Sequence, residues 1–168
     1  MAQDRQSMKH KVRLLLLFVV LVLTGGCDQA TKSIARDCLG DGSSHAVLGG
    51  LVTFTLARNP GAFLGLGALL PGGVRLAGAL VALGALLALS WFVLRDRAST
   101  APALLGTGFL LAGAGSNLID RLWWHGKVTD FVVVGIGSLH TGVFNVADLA
   151  VMMGAGLIVW SNLRKGAI

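Results

Sequence analysis

Long apolar runs separated by short basic clusters leave this chain few ways to fold. Three runs, at about 74–94, 101–121 and 143–163, have the roughly 20 residues that a helix needs to cross a bilayer. A fourth, Leu14–Gly26, is too short to cross alone, and it has two readings. In one it is the apolar core of a signal peptide, with Thr24-Gly25-Gly26-Cys27 as an imperfect lipoprotein cleavage box. In the other the helix continues through Asp28 and Lys32 and spans about 12–34. The other three runs favour the second reading, since four crossings return both termini to one side. Only 13% of the residues are charged, against about 25% in soluble domains. The fold class expected is a mainly α membrane protein, one integral domain over residues 1–168 with four transmembrane helices.

The chain has 14 Lys+Arg and 8 Asp+Glu. The basic residues gather at the ends of apolar runs, so the excess points to membrane lipids and not to nucleic acid. Arg5, Lys9, Lys11 and Arg13, then Arg95 and Arg97, then Arg164 and Lys165 mark three cytoplasmic ends. Both termini are then cytoplasmic, with residues 36–73 and 122–142 outside. Trp91, Trp123, Trp124 and Trp160 lie near run ends, where Trp anchors at the interface. Outside, Arg36–Ser44 reads as a loop, His45–Leu56 as a strand or hairpin, and Ala57–Phe63 as a turn. Leu64–Leu70 reads as an interfacial stretch, Lys127–Val134 as a strand and Gly135–Gly142 as a loop.

This topology gathers the unusual polar residues on one face. Asp28, Lys32, Asn117, Asp120, Arg121, Asn145 and Asp148 fall at outer helix ends, and Asn59 and Asp130 in outer segments. A carboxylate in apolar sequence is costly and marks a functional site. Asp130 and Asp148 are the leading pair. Two carboxylates sharing a site keep one proton between them. One can then activate water while the other hydrogen-bonds a carbonyl, which is general acid–base hydrolysis. Capping is the ordinary role of a lone Asp at a helix end, but two placed together favour chemistry. Asn117 and Arg121 share a helix face, and Arg121 is a candidate to hold a carboxylate or a lipid phosphate. Asp120 is expected only to pair locally with Arg121 or Lys127, and Asn145 to orient Asp148 or cap the fourth span. His125 and His140 lack metal-ligand spacing, so no metal or cofactor is expected. Ser116 and Ser138 have no evident base, and Cys27 and Cys38 read as structural. Two rivals remain: a proton-coupled transporter using Asp28, Asp130 and Asp148 as a relay, and a lipoprotein cleaved before Cys27.

Five segments, in order, carry a resemblance. They are Asp28-Gln29-Ala30-Thr31-Lys32, Asn59-Pro60-Gly61-Ala62-Phe63, Gly113 through Arg121, Gly126-Lys127-Val128-Thr129-Asp130-Phe131, and Phe144-Asn145-Val146-Ala147-Asp148. The chain resembles bacterial lipoprotein signal peptidase (signal peptidase II). The resemblance implies a four-helix protease of the bacterial inner membrane with an extracytoplasmic β-cradle and its active site at the outer face. It would cleave prolipoproteins just before a diacylglyceryl-modified Cys. It also implies Asp130 and Asp148 as catalytic residues, supported by Asp28, Lys32, Asn59, Gly61, Asn117, Arg121 and Asn145. Two departures stand out. Phe63 comes one place earlier than in the commoner pattern, which bears on the side chain lining the lipid groove, and Ser116 stands where Gly is more frequent.

Overall fold

The computed structural model describes residues 2–61, 69–95 and 100–166, with side chains between residues 10 and 164. Phe63, the rest of 62–68, and Asp96 and Arg97 lie outside the described residues. The order of elements is α1 (Ala2–Leu39), β1 (Ser44–Val47), β2 (Val52–Asn59), α2 (Gly72–Arg95), α3 (Ala101–Trp123), β3 (Val128–Ile136), β4 (Leu139–His140) and α4 (Val146–Gly166). All four helices are long and apolar enough to cross a membrane. The chain is thus a four-helix membrane protein with a small open antiparallel sheet, ordered β1-β2-β3-β4.

α3 is the central helix and lies against α1, α2 and α4. Its buried side includes Leu104, Gly106, Thr107, Leu111, Gly113 and Asn117. α2 is peripheral: Ser90 is its one buried residue among those described, and Val81 and Phe92 are exposed. In water such a surface would aggregate, but in hydrocarbon it is the ordinary lipid-facing side. Helix ends are tied by specific groups. Thr100 caps α3 by accepting from the Ala103 N–H at 3.3 Å, with Pro102 in the first turn. Arg13 of α1 donates to the Val93 carbonyl near the end of α2. Trp91 and Trp160 each stack beneath an arginine one turn on, Arg95 at 4.1 Å and Arg164 at 4.4 Å.

Small residues let α3 and α4 approach closely. A Cβ on Gly106 would stand 2.7 Å from the Gly154 carbonyl oxygen, and one on Gly154 2.6 Å from that of Gly106. Neither backbone can yield without separating the helices. Gly106→Val should therefore destabilise by about 1–3 kcal/mol, seen as a lower Tm in detergent. An unchanged Tm would remove the close approach from the account.

Several boundaries differ from the sequence reading. Residues 36–39 are helical, not loop, because Ala35 and Leu39 lie one turn apart and pack on Phe131. That burial outweighs the polarity of Arg36 and Asp37. Residues 57–59 continue β2 instead of turning, since Ala57, Arg58 and Asn59 pair with Asp130, Thr129 and Val128. Gly135–Gly142 also contains β4, closed on β3 by Gly135–His140 pairing. Cys27 and Cys38 are free and exposed, so they are not core residues.

Candidate active site

The end of the bundle nearest the sheet holds a buried polar cluster. Lys32, Asp28 and Asn145 are fully buried, Asp120 and Asp130 are 1% exposed, and Asp148 is 7% exposed. Such groups are tolerated only when every charge and N–H has a partner. The partners are built from five elements, α1, α3, α4, β2 and β3.

β3 delivers Asp130. Val128 and Asp130 point to one face of the strand and Thr129 and Phe131 to the other. Asn59, opposite Val128 in β2, is the diagonal neighbour of Asp130 on that face. Its amide donates to Asp130 Oδ2 at 2.9 Å. The Asn59 oxygen accepts the Gly61 N–H at 2.8 Å, so the amide cannot rotate without losing a bond.

α4 delivers Asp148 through its cap. Asn145 Oδ1 accepts the Asp148 N–H at 2.9 Å, while Asp148 Oδ2 accepts the Asn145 N–H at 3.2 Å. This reciprocal box fixes the helix start. The preceding Phe144 is bridged to β3: its carbonyl accepts from Phe131 N at 3.0 Å and Val132 N at 2.9 Å. That bridge sets Asn145 beside Asp130, and the Asn145 side-chain amide donates to Asp130 Oδ1 at 2.6 Å. One asparagine therefore both caps α4 and joins the two carboxylates. Asn117 of α3 donates to Asp148 Oδ1 at 3.0 Å. Each of the four carboxylate oxygens thus receives one neutral N–H, and none receives a salt bridge among the described residues. Burial raises the Asp130 carboxyl to about 6, and the neighbouring Asp148 charge adds to the rise against hydrogen bonds from Asn59 and Asn145.

α1 supplies the support. Asp28 and Lys32, one turn apart, form an ion pair at 2.7 Å. Asp28 also accepts the Ala147 N–H of α4 at 2.7 Å and the Ser116 hydroxyl at 2.7 Å. It thereby satisfies a donor at the start of α4 that the helix itself cannot. Lys32 donates to Asn117 Oδ1 at 2.8 Å, which aims the Asn117 amide at Asp148.

Two expectations are corrected here. Asp120 does not pair with Arg121 or Lys127. It contacts Lys32 at 3.3 Å and accepts from Gln29 at 3.0 Å and from the Thr129 N–H at 2.8 Å. It pins β3 one residue before Asp130. Arg121 holds no carboxylate among the described residues; its guanidinium donates to the Asn117 carbonyl at 3.0 Å and the Gly61 carbonyl at 2.8 Å. It ties β2's end to α3. Three residues that sequence reasoning passed over belong to the cluster: Gln29, Ser116 and Thr129. Gln29 adjoins Asp28 and lies three residues before Lys32, which was the available signal. Ser116 donates to Asp28 and accepts from Gln29 at 2.9 Å. Beyond the Trp124 cap of α3, His125 has φ 57° and Gly126 φ 82°. This left-handed pair, which favours glycine, turns the chain into β3.

A family model described as Signal peptidase (SPase) II matches residues 17–164. The lipoprotein signal peptidase of Leifsonia xyli is 36% identical over 156 residues, covering 90% of this chain and 68% of that protein. That of Syntrophus aciditrophicus is 33% identical over 159 residues, covering 94% and 97%. That of Mycobacterium tuberculosis is 36% identical over 156 residues, covering 89% and 71%. Among solved structures, a bacterial membrane enzyme determined by the in meso method at 2.3 Å superposes with a TM-score of 0.74. It is 28% identical and the match covers 93% of this chain and 90% of that one.

Proposed function

Because the chain belongs to the signal peptidase II family, we propose that Asp130 and Asp148 are the catalytic pair of a lipoprotein signal peptidase. As a member of that family it is a membrane protease that removes signal peptides from prolipoproteins. The transporter alternative finds no support in these relatives. The observation that carries the aspartyl reading is the Asn145 bridge, which holds both carboxylates on neutral donors.

In this reading the pair shares one proton. Asp130, whose carboxyl burial raises to about 6, holds it and hydrogen-bonds the scissile carbonyl oxygen. Asp148 is then the base that takes a proton from the attacking water. As the tetrahedral intermediate collapses, a dyad proton passes to the leaving amine of the substrate cysteine. Asn59, Asn117 and Asn145 hold the carboxylates in place throughout, and Lys32, Asp28, Asp120, Arg121 and Gly61 position those asparagines and their strands. The diacylglyceryl group would lie in the bilayer with the signal helix, so that anchoring on both sides of the scissile bond supplies orientation. The direct test is purified chain with a diacylglyceryl-Cys peptide: cleavage just before the Cys is expected, and persistence of intact lipidated peptide ends the proposal.

Losing the shared proton should stop the reaction. The kcat/KM of the free enzyme should therefore fall as pH rises through about 6. The corresponding limb in kcat should lie higher, because bound lipid excludes more water from Asp130. A kcat/KM that climbs steadily from about pH 5 to about pH 8 would deny Asp130 the proton. The basic clusters support both termini in the cytoplasm and the dyad at the outer face. Reporter fusions at Ser99 and at Ser138 should then give opposite locations, and the same location would overturn the orientation.

A further inference from the structure

A second cluster lies on the other face of β3. Arg36 in the last turn of α1 and Arg58 of β2 converge on one hydroxyl, Thr129 Oγ1, at 3.4 Å and 3.1 Å. Both guanidiniums also sit over the Trp124 ring, at 5.2 Å and 4.6 Å from its centroid. Two like charges this close repel. Among the described residues neither is within ion-pair distance of a carboxylate, and residues 62–68 contain no acid. The hydroxyl has two lone pairs, and both are taken. Most of the roughly five N–H donors on each guanidinium remain unspent. The arrangement is a preassembled dication in need of an anion.

Its depth says which anion. Trp124 caps the end of the spanning helix α3. Beside it Leu122 and Trp123 are 62% and 72% exposed. A Trp at the end of a span lies at headgroup level, where the abundant anion is lipid phosphate. A guanidinium fork matches phosphate oxygens bidentately. We propose that Arg36, Arg58 and Trp124 form a binding site for the phosphate of a membrane phospholipid, at the sheet-side ends of the helices. The bound headgroup would hold the sheet down on the bilayer. It would also brace Thr129, whose N–H goes to Asp120 and whose carbonyl accepts from Asn145 at 3.3 Å. The site is therefore a positioning device one residue from Asp130, separate from the groups that meet substrate.

The test does not depend on cleavage. Full-length protein in a phosphate-free maltoside detergent is mixed with phosphatidylglycerol or with diacylglycerol of the same chains, and adducts are counted by native mass spectrometry. Phosphatidylglycerol should be retained and diacylglycerol lost. Retention should fall about five-fold per arginine removed in Arg58→Gln, and again in Arg36→Gln/Arg58→Gln. Arg58 is exposed, so the single variant keeps the test sound if the double variant melts early. Equal retention of the two lipids, or undiminished retention by a folded variant, overturns the proposal. Displacement of the lipid by millimolar inorganic phosphate would assign the site to free phosphate and overturn the lipid source.

Discussion

Asp130→Asn and Asp148→Asn should each abolish cleavage of a lipidated prolipoprotein, with losses of at least 10³-fold to about 10⁴-fold. The double variant should be no slower than either single one. Groups that act as a unit are strongly non-additive, since the second removal acts on a reaction already lost. The geometry adds a stability cost to both variants, since every dyad oxygen accepts an N–H, Asp148 from Asn117 and the Asn145 backbone. Both Asp130 oxygens accept side-chain N–H groups, from Asn59 and Asn145. An amide at 130 must turn its own NH₂ toward one of them, so Asp130→Asn also breaks a buried hydrogen bond. That costs about 1–3 kcal/mol of stability. Activity is therefore to be compared at matched levels of folded enzyme, by gel shift of the lipidated substrate. Turnover within ten-fold of the parent in either variant, about 1.4 kcal/mol of barrier, would end the aspartyl mechanism. Asp120 is no neutral control for this series. It anchors the Thr129 N–H beside Asp130, and its replacement should impair folding and activity together. Asp37 is a better control, being an exposed residue of α1.

The apolar runs made the helices legible, because only a helix satisfies its own backbone in hydrocarbon. The strands at 45–56 and 127–134 were legible from β-branched residues bounded by turn residues. What periodicity cannot carry is partnership across the chain. Gln29 meets Asp120 and Ser116, and Asp28 meets the α4 backbone at Ala147. Those contacts exist only once α1, α3 and α4 have docked. Asp120 read as a local ion-pair partner because Arg121 is its neighbour, yet adjacent helix positions face apart. Arg121 instead follows its own face back to the Asn117 carbonyl, one turn earlier. The end of α1 was misread for a related reason. Residues 36–39 look solvated in isolation, but Leu39 is needed beneath Phe131. The short range of Asp28 to Lys32 is what made that pair visible without a structure.

Lys32→Met should be the most destabilising single change in the chain outside the close helix contacts. The ammonium is fully buried, and it has three donors for three acceptors: Asp28 Oδ2 at 2.7 Å, Asn117 Oδ1 at 2.8 Å and Asp120 Oδ2 at 3.3 Å. Met fills a similar volume but leaves two buried carboxylates with no cation. Breaking a buried pair in this way costs about 3–5 kcal/mol, to be read as a lower Tm in detergent. Lys32→Arg should not restore it, because a planar fork cannot place one nitrogen among three acceptors around a point. Lys32→Met/Asp28→Asn should recover part of the loss, since one of the two orphaned charges is then gone. Activity should not recover with it. Asn117 Oδ1 would have lost its shorter, charged donor and kept only the Asn145 amide at 3.2 Å, so the amide that holds Asp148 would be less firmly aimed. Recovery of Tm without recovery of cleavage separates the structural work of Lys32 from its aim on the dyad. A Lys32→Met protein with the parent's Tm would show that the ion cluster does not hold α1, α3 and α4 together.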